Sequence, residues 1–365
     1  MDDMAIDVRI DKAIYIRRGA GKDFDSIGSI SPSGKIITMD GVESGKVLKG
    51  NNKWYFKIND KGEKQYYWGG GISMVDQNSS VLSSFTNANV PWWIQQLKIP
   101  EIWSTYSEKG ADARIAILDT GYKKDNPEIV IADFFNTVGG TSTIDDGDGH
   151  GTYCTSIIGA RNNTRIIGCA PQAQLFSGKI TQNGSVSYQK ICSCITWAVK
   201  KQVDIISISY GGPNLNDNLR NAIHDAVNTH NIVVIAPIGN NNPPQGQAGG
   251  NYPGLFDDCI TVGATDSSNR LSGVTMVNDK TDINAPGDEI DGYALDNTPT
   301  QLPAGTSQAT AVVAGVCGLI ISRFKASHQS YSPQSIKQLI VQNFDPVVGS
   351  PDQKLISPTK IFSKT

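Results

Sequence analysis

Residues 311–318, Ala-Val-Val-Ala-Gly-Val-Cys-Gly, contain no side chain larger than valine and none that is charged. A helix built from them is apolar on every side, so it belongs in the interior, where its small side chains let neighbouring backbone come close. Just upstream, Gly305-Thr306-Ser307-Gln308-Ala309 puts Ser307 where that helix begins. A hydroxyl there sits in the partial positive field of a helix N-terminus and is open to a substrate carbonyl. Taken alone, the same residues also fit an ordinary N-cap opening a buried helix. The rest of the chain decides between the two.

A serine nucleophile needs a base, and the base needs an orienting carboxylate. The chain has four histidines. His224 and His230 fall on an amphipathic surface helix expected over 217–230, and His328 falls in the polar stretch after the serine helix. His150 is different: it stands in Asp148-Gly149-His150-Gly151-Thr152, a glycine-flanked turn leading into the small, apolar segment 154–160. The carboxylate candidate is Asp119, at the end of Arg114-Ile115-Ala116-Ile117-Leu118, which reads as a buried parallel strand with Thr120-Gly121 turning after it. Open α/β sheets assemble sites at such C-terminal strand ends. A plain strand-end cap is the alternative for Asp119.

Together these stretches resemble the subtilisin-like serine proteases, the subtilases, from about residue 89 onward. Three signatures stand in the family's order: Ile117-Leu118-Asp119-Thr120-Gly121, His150-Gly151-Thr152, and Gly305-Thr306-Ser307 with Val313-Ala314-Gly315 behind it. A fourth element, Gly239-Asn240 after the apolar run 232–236, matches the family's asparagine that donates to the oxyanion. The resemblance implies an α/β fold with a mostly parallel sheet flanked by helices, and a serine endopeptidase. In it Asp119 orients His150, His150 takes the proton of Ser307, and Ser307 attacks the peptide carbonyl, with Asn240 as oxyanion donor. It also implies an extended protein or peptide substrate, lying between Ser209-Tyr210-Gly211-Gly212 and the opposite rim Asn183-Gly184-Ser185, where glycines admit close backbone approach. Two ordinary glycine turns are the alternative for these stretches. Asn251, before Tyr252-Pro253, corresponds to the floor of the P1 pocket. With Asn241 also uncharged, it argues for a neutral, medium-sized or apolar P1 residue.

Two departures from the family pattern follow the serine. Gln308 replaces a methionine, removing an oxidisable thioether. Ala311 replaces a proline placed in the first helical turn, a change expected to let the helix shift and either slow amide hydrolysis or favour capture of the acyl-enzyme by an amine. A peptide ligase or cyclase is therefore one alternative function. A proteolytically silent binding protein, working through its N-terminal module, is another.

With 365 residues and 39% hydrophobic content, the chain has room for one large domain and a smaller one. Its formal charge of −3 gives no basic field for nucleic acid, and no apolar run is expected to approach a membrane span. Met1-Asp2-Asp3-Met4 lacks the basic and apolar regions of a secretory signal. The protein is expected to be cytoplasmic if Met1 is the native start, and secreted or periplasmic if a signal was removed. The six cysteines stand mostly in apolar contexts, where they read as small buried hydrophobes. Cys154, four residues after His150, is expected close behind it. The chemistry calls for no cofactor. Calcium is considered only as a structural ion, because Asn162-Asn163-Thr164 and Glu128 resemble the family's calcium loop, one residue short. The cluster Asp145-Asp146-Gly147-Asp148 reads as a solvated loop able to attract a cation.

Residues 1–75 have another texture. Short runs rich in β-branched and aromatic residues, 13–17, 35–39, 53–58 and 65–68, alternate with turn residues, predicting a small all-β barrel or sandwich. The segment 14–28 and the run Lys53-Trp54-Tyr55-Phe56-Lys57-Ile58 resemble bacterial SH3-like (SH3b) domains. That likeness implies a cell-wall or protein partner. Residues 76–89, rich in serine, read as the linker, and 90–365 as the peptidase domain.

Overall fold

β-branched and aromatic side chains suit a pleated, half-buried surface, and the N-terminal residues that carry them form short strands. The computed structural model describes residues 90–365 except 107, 139–143, 162–165, 183, 185 and 241–248. Of residues 1–89 it describes 6–10, 14–18, 26–30, 35–39, 41–48, 51–59, 63–68 and 72–74. The chain divides into two units, Met1–Ala88 and Asn89–Thr365.

In the first unit, β1 (Ile6–Ile10), β2 (Ile14–Arg17), β3 (Ser26–Ile30), β4 (Lys35–Met39), β5 (Gly41–Leu48), β6 (Asn51–Ile58), β7 (Lys64–Trp68) and β8 (Ile72–Met74) make two antiparallel sheets. Their orders are β4-β1-β8 and β3-β2-β7-β6-β5. The four runs read from the sequence become β2, β4, β6 and β7, each within two residues of the expected bounds. Trp54, Tyr55 and Tyr67 are buried there, with Tyr55 opposite Tyr67 across β6 and β7.

The second unit is built on β9 (Arg114–Asp119), β10 (Ile131–Asn136), β11 (Gln174–Lys179), β12 (Ile205–Ile208), β13 (Val233–Pro237), β14 (Cys259–Thr265) and β15 (Ile283–Pro286). After the small hairpin β16 (Asp291–Tyr293) and β17 (Pro299–Gln301), β18 (Phe344–Val347) and β19 (Ser350–Ile356) complete its main sheet. The order is β10-β11-β9-β12-β13-β14-β15-β19-β18, parallel except for the β18–β19 pair. Continuous apolar strands such as β9 have no polar face to turn to water, so both faces must be covered.

Around this sheet lie α1 (Trp92–Gln96), α2 (Ile99–Thr105), α3 (His150–Gly159), α4 (Tyr188–Lys200), α5 (Asp217–Asn228), α6 (Thr306–Ala326), α7 (Pro333–Gln342) and α8 (Pro358–Phe362). Alternation along the strands divides the cover. Ala116 and Leu118 join a core with Ile191, Cys194 and Ile195 of α4 and Leu219 and Ile223 of α5, while Ile115 meets α6 at Gly318. The expected fold, a mostly parallel sheet flanked by helices, is the one observed.

Every residue of α6 from 306 to 322 is buried. At 21 residues the helix is long and apolar enough, by length and composition alone, to cross a membrane. That corrects the expectation that no stretch approaches this size; here the helix is wrapped in protein. Ala311 also lies a turn deeper than expected, since α6 opens at Thr306. The helix runs unbroken through it, as a proline there would not allow without losing a ladder bond. All six cysteines are free, and only Cys192 is partly exposed.

A Cβ built on Gly315 of α6 would lie 2.4 Å from Cys169 Cβ. Gly315→Ala is therefore expected to overpack the core and cost about 1–3 kcal/mol in chemical denaturation, despite alanine's better helix propensity. A neutral or stabilising result would refute this close packing.

Candidate active site

Asp119 ends β9, and His150 opens α3. His150 Nδ1 lies 2.8 Å from Oδ1 and 3.0 Å from Oδ2 of Asp119. A carboxylate only accepts hydrogen bonds, so in the neutral imidazole the proton sits on Nδ1 and the lone pair on Nε2. The imidazole side chain is 30% exposed and the carboxylate 4%. Asp119's charge holds the His150 pKa well above its ordinary range. Cys154 Sγ lies 3.8 Å from Nδ1 and 3.9 Å from Nε2. Burial pushes its thiol pKa up, which keeps it neutral.

The loops carrying this pair are stitched together. Thr120 N–H donates to Asp119 Oδ1 at 2.7 Å, and Thr120 Oγ1 accepts the Gly151 N–H at 2.8 Å. Gly151 must be glycine, because a Cβ there would meet the Gly121 carbonyl at 2.3 Å. Asp146 serves as the remote cap of α3. Its Oδ1 accepts the N–H of Asp148 (3.0 Å) and Gly149 (2.9 Å), and its Oδ2 accepts the N–H (2.8 Å) and hydroxyl (2.6 Å) of Thr152. Burial would raise its pKa, but the Thr152 hydroxyl and these N–H groups outweigh it and hold it low.

Ser307, second residue of α6, is buried, and its Oγ donates to the Ser209 carbonyl at 3.3 Å. Among the described residues no hydrogen bond joins Ser307 to His150. Asn240 follows β13, and its Oδ1 accepts both the N–H and the hydroxyl of Thr306 at 2.7 Å each. A backbone N–H can only donate, so this contact fixes which end of the amide is oxygen and leaves Nδ2 as a donor. Asp119, Ser209-Tyr210-Gly211 and Asn240 thus stand at or just beyond the C-terminal ends of the adjacent strands β9, β12 and β13.

Gly212 and Tyr252 exchange N–H···O bonds of 2.9 and 2.8 Å, which sets Gly211 against Asn251. A Cβ built on Gly211 would lie 2.9 Å from Asn251 Cβ, and one on Gly239 would lie 2.8 Å from Asn251 Nδ2. The Asn251 side chain therefore fills the space between these two glycines. Gly184 is exposed in the loop after β11; Asn183 and Asn241 lie outside the described residues. So do Asn162 and Asn163. Glu128 is buried, and its carbonyl accepts the Arg161 N–H at 2.9 Å. Among the described residues Glu128 is the one member of the expected calcium set, which would have to supply the six to eight oxygens calcium takes.

Residues 110–357 match the model of the Subtilase family, Peptidase S8. The chain belongs to the subtilases. It is 33% identical over 237 residues to subtilisin DY of Bacillus licheniformis, covering 64% of this chain and 85% of the relative. It is 33% identical over 261 residues to thermitase of Thermoactinomyces vulgaris, covering 70% and 88%. The crystal structure of MycP1 with its N-terminal propeptide removed shares the fold, with TM-score 0.65 and 23% identity, over 74% of this chain and 96% of that one. This subtilase is a subtilisin-like serine peptidase, a hydrolase.

Among the buried polar residues of the subtilase unit that reading the sequence missed are Asp146 and Gln308. Asp146, taken as part of a solvated cluster, is 6% exposed. The signal was an Asp just ahead of a glycine turn and a helix, where its side chain can satisfy the N–H groups that follow. Gln308, taken only as the absence of a methionine, is buried with Nε2 donating to the Pro303 carbonyl at 2.9 Å.

Because the folded pKa of His150 lies above 6.5, its pairing with Asp119 stabilises the fold fully below about pH 6.5, while the carboxylate is charged. That stabilisation is lost as pH rises through the raised value. In Asp119→Asn the imidazole NMR titration of His150 is expected to fall toward 6.5. The wild-type advantage in Tm should shrink as pH rises. An unmoved titration midpoint would contradict the assignment.

Proposed function

We propose that this subtilase is a serine endopeptidase in which Asp119, His150 and Ser307 form the catalytic triad. The observation that carries the reading is the Asp119–His150 contact of 2.8 Å at the mouth of two loops, with Ser307 in the first turn of α6. Asp119 fixes the Nδ1 tautomer, so Nε2 takes the Ser307 proton as Oγ attacks the carbonyl. For this the hydroxyl must leave the Ser209 carbonyl, a rotation about one side-chain bond; catalytic hydrogen bonds often close only once substrate is bound. Nδ2 of Asn240 and the Ser307 N–H then donate to the oxyanion. The amine departs with the proton from His150, and water releases the acid.

The substrate in this reading is an extended peptide lying along Ser209-Tyr210-Gly211 and the rim at Asn183 and Gly184. The Asn251 side chain, lodged between Gly211 and Gly239, supports a neutral P1 residue of modest size. No step uses a cofactor. Calcium enters only as a structural ion to which Glu128, Asn162 and Asn163 would contribute. For residues 1–75 we propose an SH3-like module, supported by the antiparallel β6–β7 pair with buried Trp54 and Tyr55. It would bind a cell-wall or protein partner and be joined through a linker at 76–89 to the peptidase domain.

The test is hydrolysis of neutral-P1 peptide amides by the full chain and by Ser307→Ala, with and without an added amine. Turnover in wild type, lowered at least about 10⁴-fold in the variant, is expected. Retained turnover in Ser307→Ala would refute the triad, and predominant transfer to the amine would instead make the enzyme a ligase. Asn251→Gly should raise kcat/KM for an aromatic P1 by about tenfold or more while leaving alanine at P1 little changed. No gain for the aromatic residue would remove Asn251 from the pocket.

A further inference from the structure

Lysine is seldom sealed inside a protein, because its ammonium loses water there. Lys179, the last residue of β11, is 1% exposed. Its Nζ donates to the carbonyl of Asp145. Burial lowers its pKa, and the charges of Asp146 and Asp145 oppose that shift. The backbone of Lys179 is as tightly held as its head. It pairs with Asp119 in the β11–β9 register, and the N–H of the next residue, Ile180, donates to the Asp119 carbonyl at 2.8 Å. The Lys179 carbonyl accepts the N–H (3.0 Å) and the hydroxyl (2.8 Å) of Thr137. One side chain therefore reaches from the strand beside Asp119 to the loop that delivers His150. That loop hangs on Asp146, whose carboxylate takes four donors from Asp148, Gly149 and Thr152.

We propose that Lys179 is a positioning residue for His150: its buried ammonium ties down the Asp145 carbonyl, next to the Asp146 carboxylate that caps the loop, keeping residues 145–149 in one place relative to Asp119. The inference rests on reading Asp119, His150 and Ser307 as the triad. Lys179 touches neither the imidazole nor the serine. Removing it frees the Asp145 carbonyl and takes a buried positive charge away from the loop that carries Asp146, an imbalance that removing both charges avoids. The loop relieves that state by moving toward water, and His150 moves with it. A displacement of about 1 Å at a catalytic group costs about 10²-fold in rate.

The experiment is a double-mutant cycle on the full chain, with kcat and KM measured on one peptide amide for wild type, Lys179→Met, Asp146→Asn and the double variant. Turnover is counted per active site titrated with a fluorophosphonate, and folding is followed by thermal unfolding. Lys179→Met is expected to lower kcat about 10²-fold with KM nearly unchanged. In the Asp146→Asn background the same change should cost less than about threefold. Equal costs in both backgrounds would reduce Lys179 to packing and overturn the proposal. So would an unchanged kcat, or a loss confined to KM. If Lys179→Met alone does not fold, recovery of folding and kcat in the double variant supports the coupling, and no recovery overturns it. Ser307→Ala separates the two readings. If it stays active, the triad assignment fails; if it is dead while Lys179→Met is unimpaired, only the present inference fails.

Discussion

The catalytic unit depends on burying a helix that has no polar face. From residue 306 to 322, α6 is enclosed on all sides, and its glycines bring it hard against Cys169 and Ile115. Such packing leaves little room for rotation or sliding, since a core this dense resists even small displacements. Both ends are also tied by polar contacts. At the start, Thr306 donates twice to Asn240. Toward the end, Lys325 bonds Asp204 at 2.7 Å, and Asp204 also accepts the Arg114 N–H at 2.8 Å and the Tyr331 hydroxyl at 2.8 Å. The helix is therefore clamped to β13 at one end and to the starts of β9 and β12 at the other. A cation in its last turn also suits the helix dipole. The position of Ser307 follows from the fold of the whole unit rather than from its own few contacts.

The polar groups near the strand ends follow a matching rule. Each buried charge is matched by donors or an acceptor before any substrate arrives. Asp119 takes the Thr120 N–H and the imidazole, Asp146 takes four donors, and Lys179 donates to the Asp145 carbonyl. This matching makes the site rigid, because moving any one group strands another in an apolar setting. Asn240 illustrates the point. Its oxygen is engaged by Thr306, so the orientation of its amide is set by the folding of α6.

Much of this was legible in the sequence because local rules and tertiary demands agree. An apolar run ending in Asp119, a glycine turn ahead of His150, and a small-residue segment behind Ser307 each bear a periodicity or a turn signal that survives into the structure. The strands β2, β4, β6 and β7 were likewise readable from their β-branched and aromatic content. What stayed hidden depends on partners far along the chain. Nothing near Asp146 or Lys179 in sequence says that one meets the Thr152 hydroxyl and the other the Asp145 carbonyl, and burial of a charge is intelligible only once its partner is known. The true length of α6 was also obscured, because Ser322, Arg323 and Lys325 look like surface residues until the fold buries the first, sets the second over the Tyr106 ring and brings Asp204 to the third.

The thiols carry a further consequence. Five of the six are sealed in the interior and none is paired, so the catalytic unit neither gains a crosslink in oxidising surroundings nor loses one in reducing surroundings. Cys192, on the outer side of α4, is the one thiol that is partly exposed. Covalent joining of two copies, or attachment of a reporter group, would run through that position and leave the interior untouched.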